Sequence, residues 1–147
     1  MDLKATLLQD LKEALKSKDT LRKDTIQILR AAVLQVEKDT GKTLDDTSIV
    51  DVISKELKKR VDVMPDFVKS GRQDRITELE AQIVIIKSYL PPQLSPEEVL
   101  DIVKKAIDET GASSIKDMGK VMAAVGPALK GRADMKIVGD IVRKAVS

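Results

Sequence analysis

Residues 89–99 read YLPPQLSPEEV, and this stretch decides how the chain is organised. Pro91 and Pro92 cannot continue a helix and hold the backbone extended. Ser95, Pro96 and Glu98 then supply an N-cap serine, a proline at the first helical position and the glutamate of a capping box. One helix therefore ends before this stretch and another begins at its end. The reading divides the chain into residues 1–92 and residues 93–147.

On the N-terminal side, apolar periodicity and caps predict four helices. The first starts near Asp2 and turns Leu3, Leu7, Leu11 and Leu15 to one face. The second is capped by Asp19, carries Ile26, Leu29, Val33 and Val36, and stops at Gly41. A third, capped by Asp46 or Thr47, runs from about Ser48 to Ser70 with Ile49, Ile53, Leu57, Val61, Met64 and Val68 inward. Pro65 lies inside that pattern and is expected to kink or break it. The fourth, capped by Asp74, places Ile76, Leu79, Ile83, Ile86 and Leu90 at the 3-4 spacing of a bundle seam.

On the C-terminal side three helices follow. Helix five buries Val99, Ile102, Val103, Ala106 and Ile107 and ends at Gly111. Ser114 with Asp117 offers a capping box for helix six, whose apolar side is Ile115, Met118, Val121, Met122 and Val125. Asp134 caps helix seven, with Ile137, Val138, Ile141, Val142 and Ala145. No strand-like alternation competes. The expected fold is all-α, an N-terminal four-helix unit followed by a small C-terminal three-helix domain.

Composition fits and narrows the function. Apolar residues make up 42% and charged residues 34%, while Phe67 and Tyr89 are the only aromatics. Without histidine or cysteine, the chain has no imidazole base, no thiolate nucleophile and no thiolate zinc site. Carboxylates fall on polar helix faces and mark neither a catalytic pair nor a metal site. "GKVMAAVGP" (119–127) lacks the spacing of a nucleotide-binding loop. No cofactor is implied. Residues 1–18 carry no apolar leader and no run is long enough to span a bilayer, so a cytoplasmic protein is expected.

Net charge is only +2, but it is uneven: residues 55–75 hold seven basic against four acidic side chains, and residues 116–136 five against two. The second patch is interleaved with glycines. Gly119 costs helix stability unless a close approach requires it, either by helix seven at Gly139 or by a ligand backbone. Lys130, Gly131 and Arg132 join helices six and seven, where a permissive glycine, two cations and the N-terminal end of helix seven form a phosphate-binding corner. The expected nucleic-acid-binding set is Lys116, Gly119, Lys120, Lys130, Gly131, Arg132 and Lys136, with no catalytic residue. The competing reading is a protein adaptor docking through Met118, Met122 and Met135.

Three blocks, KELKKRVDVMPDFVKSGRQD (55–74), YLPPQLSPEEV and IKDMGKVMAAVGPALKGRADMKIV (115–138), resemble the signature segments of the YqeY-like proteins, the GatB/YqeY family. The part from about residue 95 to 147 is similar to the tail domain of the B subunit of tRNA-dependent amidotransferases. In those enzymes the tail contacts the outer corner of tRNA, while glutamine-dependent amidation occurs in other domains. The resemblance implies tRNA, or an amidotransferase or another protein, as partner. It places Gly119–Lys120 and Lys130–Gly131–Arg132 toward the RNA. The kinase-like catalytic cradle of the B subunit has no counterpart here, so any link to carbon–nitrogen ligase activity is one of association.

Overall fold

The computed structural model describes residues 2–147. The chain is all-α, and its helices are α1 (Leu3–Ser17), α2 (Thr20–Thr40), α3 (Asp46–Ser70), α4 (Gln73–Lys87), α5 (Pro96–Thr110), α6 (Met118–Leu129) and α7 (Met135–Val146). A single 3-10 turn, Ile115–Asp117, leads into α6. The chain divides into two compact units, Met1–Pro91 and Pro92–Ser147.

In the first unit, α1, α2, α3 and α4 close around Leu7, Leu11, Ile26, Leu29, Val33, Ile49, Ile53, Leu57, Ile86 and Leu90. Aspartates set three of the starts: Asp2, Asp19 and Asp45 each accept a backbone N–H of the first turn. Polar ties join the helices. The Lys4 ammonium meets the Glu37 carboxylate at 2.7 Å, and Glu37 also accepts the Leu44 N–H. The Tyr89 hydroxyl donates to Asp10 at 2.6 Å, and Arg22 stands 3.7 Å from the same carboxylate. Buried Glu56 accepts from Arg60, whose Nε donates to Gln82 on α4.

Several expectations need correction. Asp45, one residue earlier than Asp46 or Thr47, caps α3, because its carboxylate reaches the Ser48 N–H. Pro65 does not break α3, which runs through it to Ser70. No residue of that half of the helix is buried, and Val61, whose carbonyl the proline leaves without a helical donor, is exposed. Val61 and Val68 are exposed rather than inward, because α1 and α2 do not cover the outer half of α3. Leu15 is exposed for a like reason, since α1 ends two residues later. Asp74 lies in the first turn of α4, and Arg72 occupies the cap position without a side-chain bond.

The second unit packs α5, α6 and α7 around Val99, Val103, Ala106, Val121, Val125, Leu129, Val138, Val142 and Val146. Ser95 and Glu98 form both bonds of the capping box and fix the start of α5. The Ser114–Asp117 box does not form: the Asp117 carboxylate turns back to accept the Ser113 N–H at 3.0 Å. The 3-10 turn that results leaves Ile115 exposed.

Candidate nucleic-acid interface

Helix α6 carries two faces of opposite character. Val121, Val125 and Leu129 are buried in the second core, while Gly119, Lys120, Ala123, Ala124, Pro127, Ala128 and Lys130 are exposed. The outer face is thus a run of small residues with a cation at either end. Lys116 precedes it on the 3-10 turn and is exposed as well. Lys120 is 73% exposed and reaches Asp117 only at 4.0 Å, so its charge faces solvent. Asp117 is held below the usual carboxylate range by the Ser113 N–H, and Lys120 adds to this.

The glycines sort differently from expectation. α6 begins at Met118, so Gly119 stands in its first turn rather than mid-helix. A Cβ placed on Gly119 meets nothing within 4 Å, and the same holds for Gly126. Close packing against α7 is therefore not why Gly119 is glycine; Gly139 instead faces the Met118 methyl group. Gly126, which the site expected from sequence omitted, shares the open space but precedes Pro127, whose ring crowds a Cβ on the preceding helical residue.

Gly131 has a different reason. It follows the α6 C-cap residue Lys130 with φ +75°, a left-handed conformation that disfavours any side chain. It is buried, and its carbonyl accepts the Gln93 side-chain amide at 2.7 Å. The next carbonyl, that of Arg132, accepts the Leu94 N–H at 2.8 Å. Gln93 and Leu94 thus clamp the α6–α7 turn, a role with no local sequence signal. Gly131 shapes the turn from inside, and the surface it offers a ligand is small.

The remaining cations stand apart from Lys116 and Lys120. Lys130 is exposed at the far end of α6, eleven residues beyond Gly119, or roughly 16 Å along the axis. The Arg132 guanidinium bonds back to the Ala128 carbonyl. Lys136 is exposed on the first turn of α7, where its N–H is already taken by Asp134 Oδ1 at 2.9 Å. The corner expected to take a phosphate therefore holds a carboxylate at the helix N-terminus, and the cations form two groups bridged by the small-residue face of α6. Met118 and Met122 pack against the second core and only Met135 is exposed, so the three methionines make no common surface.

Among the described residues, no group of three acidic side chains is placed to hold a metal ion. Among the described residues, no helix is long and apolar enough to cross a membrane.

Several curated proteins are similar to this chain, all named "Altered inheritance of mitochondria protein 41, mitochondrial". That of Lachancea thermotolerans is 41% identical over 91 residues, covering 61% of this chain and 49% of that protein. The Kluyveromyces lactis protein is 38% identical over 98 residues, 65% of this chain and 53% of its own length. The Pyrenophora tritici-repentis protein is 28% identical over 145 residues, 95% of this chain and 78% of its own. The chain thus spans about half the length of the first relative it matches. These names overturn the cytoplasmic expectation, which rested on a missing apolar leader and on the lack of a bilayer-spanning run. Neither feature specifies a compartment when relatives extend beyond the matched region. The sequence pattern of the Yqey-like proteins matches residues 4–146, from the first turn of α1 to the last residue of α7, and the chain belongs to that family.

Proposed function

We propose that the second unit binds tRNA through the outer face of α6, and that the protein serves as an accessory factor in glutamine-dependent amidation of tRNA. The observation that supports this is the empty space over Gly119 and Gly126. Glycine in a helix lowers stability by up to about 1 kcal/mol relative to alanine. At Gly119 no neighbour in the fold demands it, while at Gly126 the Pro127 ring that follows already disfavours a Cβ. A phosphodiester strand lying on α6 would demand glycine, with Lys116 and Lys120 at one end and Lys130, Arg132 and Lys136 at the other holding its phosphates.

Recognition in this reading is by shape and phosphate, because the unit carries no aromatic side chain on which a base could stack. Pro127 cannot donate to the Ala123 carbonyl one turn back, which leaves an acceptor on the same exposed face. A ribose 2′-hydroxyl is a donor that DNA lacks. The amidation chemistry belongs to partner proteins, as this chain has neither imidazole nor thiol. The test is saturable binding to bulk tRNA that weakens with salt and is lost in Lys120→Glu with Arg132→Glu.

A further inference from the structure

Helix α3 is longer than the body that covers it. Its inner half gives Ile49, Ile53 and Leu57 to the first core, and the same stripe then continues through Val61, Met64 and Val68. Helix α4 repeats this in the opposite direction: Ile86 is buried, and Ile83, Leu79 and Ile76 follow outward at 4-3 spacing. No residue between 58 and 85 is buried, and Val61 and Val68 are 49% and 58% exposed. Such spacing belongs to a seam that faces the interior of a helix bundle. α1 and α2 complete that bundle over the inner half only, so the outer half lacks two helices.

We infer that the outer halves of α3 and α4 pair with the same segment of a second copy of this chain, overlapping antiparallel to close a four-helix bundle about a two-fold axis. This inference is independent of the nucleic-acid reading. It rests on self-complementarity. The Arg60–Gln82 hydrogen bond, 2.8 Å, fixes which residues of α3 and α4 lie level. Equal steps outward from that bond reach the middle of the Val61–Val68 stretch on α3 and the Thr77–Glu78 level on α4. The latter is about two residues from the middle of the Ile76–Ile83 stretch, a shift of roughly 3 Å.

One axis at this level therefore sets Val61 against Val68 of the second copy, and Ile76 against its Leu79. The same axis brings Asp62 toward Lys69 of the second copy. Asp62 is 58% exposed and shares Lys58 within its own helix at 3.4 Å, while Lys69 is exposed and has no ion pair among the described residues. A helix from an unrelated partner would not need the two ends of the seam to complement each other, and here they do. The seam joins only short helix segments of each copy, so the dimer is weak and reversible.

Sedimentation velocity on the full chain, from micromolar to millimolar concentration, tests this. A monomer–dimer equilibrium is expected. Val61→Lys with Val68→Lys should raise its dissociation constant by at least ~100-fold, and because both valines are exposed the circular dichroism should not change. Lys69→Asp alone should weaken the dimer by roughly tenfold, and adding Asp62→Lys should restore it. A monomer at every concentration, or a dimer indifferent to the two valine changes, would overturn the inference. Failure of the charge exchange to restore pairing would overturn the antiparallel register.

Discussion

The side-chain amide of Gln93 donates to the carbonyl of Gly131 at 2.7 Å, joining two residues that lie 38 apart in the chain. Together with the Leu94–Arg132 backbone bond it holds the α6–α7 turn, and with it the positions of Lys130 and Arg132. Gln93→Ala leaves a buried acceptor unpaired and should cost about 1–2 kcal/mol. Amide hydrogen exchange should show the loss as faster exchange at Arg132 and Ala133, with α1 and α2 unchanged.

Gly119 separates binding from folding. Ala fits at Gly119 without meeting a neighbouring element, whereas at Gly126 its Cβ would crowd the Pro127 ring. The change Gly119→Ala should therefore stabilise the second unit slightly, by up to about 0.5 kcal/mol in this first-turn position. Thermal denaturation should show a higher midpoint, while tRNA affinity falls. Stabilisation with no loss of affinity would remove the reason proposed for this glycine.

The sequence made these elements legible to different depths. Ser95, Pro96 and Glu98 were readable because a capping box is decided within four residues, and Val99, Val103, Val138 and Val142 followed from their period; Ile137, expected inward, is exposed, and Val146, not expected, is buried. Val61 and Val68 have the same period as Ile53 and Leu57, yet periodicity cannot say whether a neighbouring helix is long enough to cover them. Pro65 stays inside α3 where Val61, whose carbonyl loses its helical donor, is exposed rather than packed, a fact of tertiary position. Gln93 and Gly131 meet only through the packing of the second unit. The two cation groups were legible as charge, but the Asp134 carboxylate at the α7 N-terminus shows its effect only in three dimensions.

Tyr89 is the only tyrosine, so its titration can be followed directly. Burial, reinforced by its bond to the Asp10 carboxylate, pushes its hydroxyl well above the ordinary value of 10.0. The protonated phenol is the form that the fold favours. Its stabilisation is therefore complete below pH 10 and is lost as pH rises through the folded value. Ultraviolet titration should show no phenolate in the folded protein at pH 10, where a free tyrosine is half ionised. Tyr89→Phe should cost about 1–2 kcal/mol in the first unit, since Asp10 would keep only the longer Arg22 contact.

Glu37 works in the other direction. Hydrogen bonds from the Lys4 ammonium and the Leu44 N–H hold its carboxyl below the ordinary value of 4.5. Its stabilisation is present above pH 4.5 and is lost as pH falls through the lower, folded value. Urea denaturation of the first unit between neutral and acid pH should steepen below pH 4.5. Glu37→Gln should flatten that part of the curve.

Leu129 is fully buried at the end of α6, in a unit with a small aliphatic core. Leu129→Ala should cost about 2–5 kcal/mol. That is enough to unfold a unit this small while the first unit stays folded. Calorimetry should then lose one transition and keep the other.

Whether α6 presents an RNA-reading face is tested most directly by binding of the full chain to bulk tRNA and to double-stranded DNA of equal charge across a salt series. Selective binding to tRNA, weakening steeply with salt and lost on Lys120→Glu with Arg132→Glu, is the predicted result. Equal binding to both polyanions, or none to either, would contradict it.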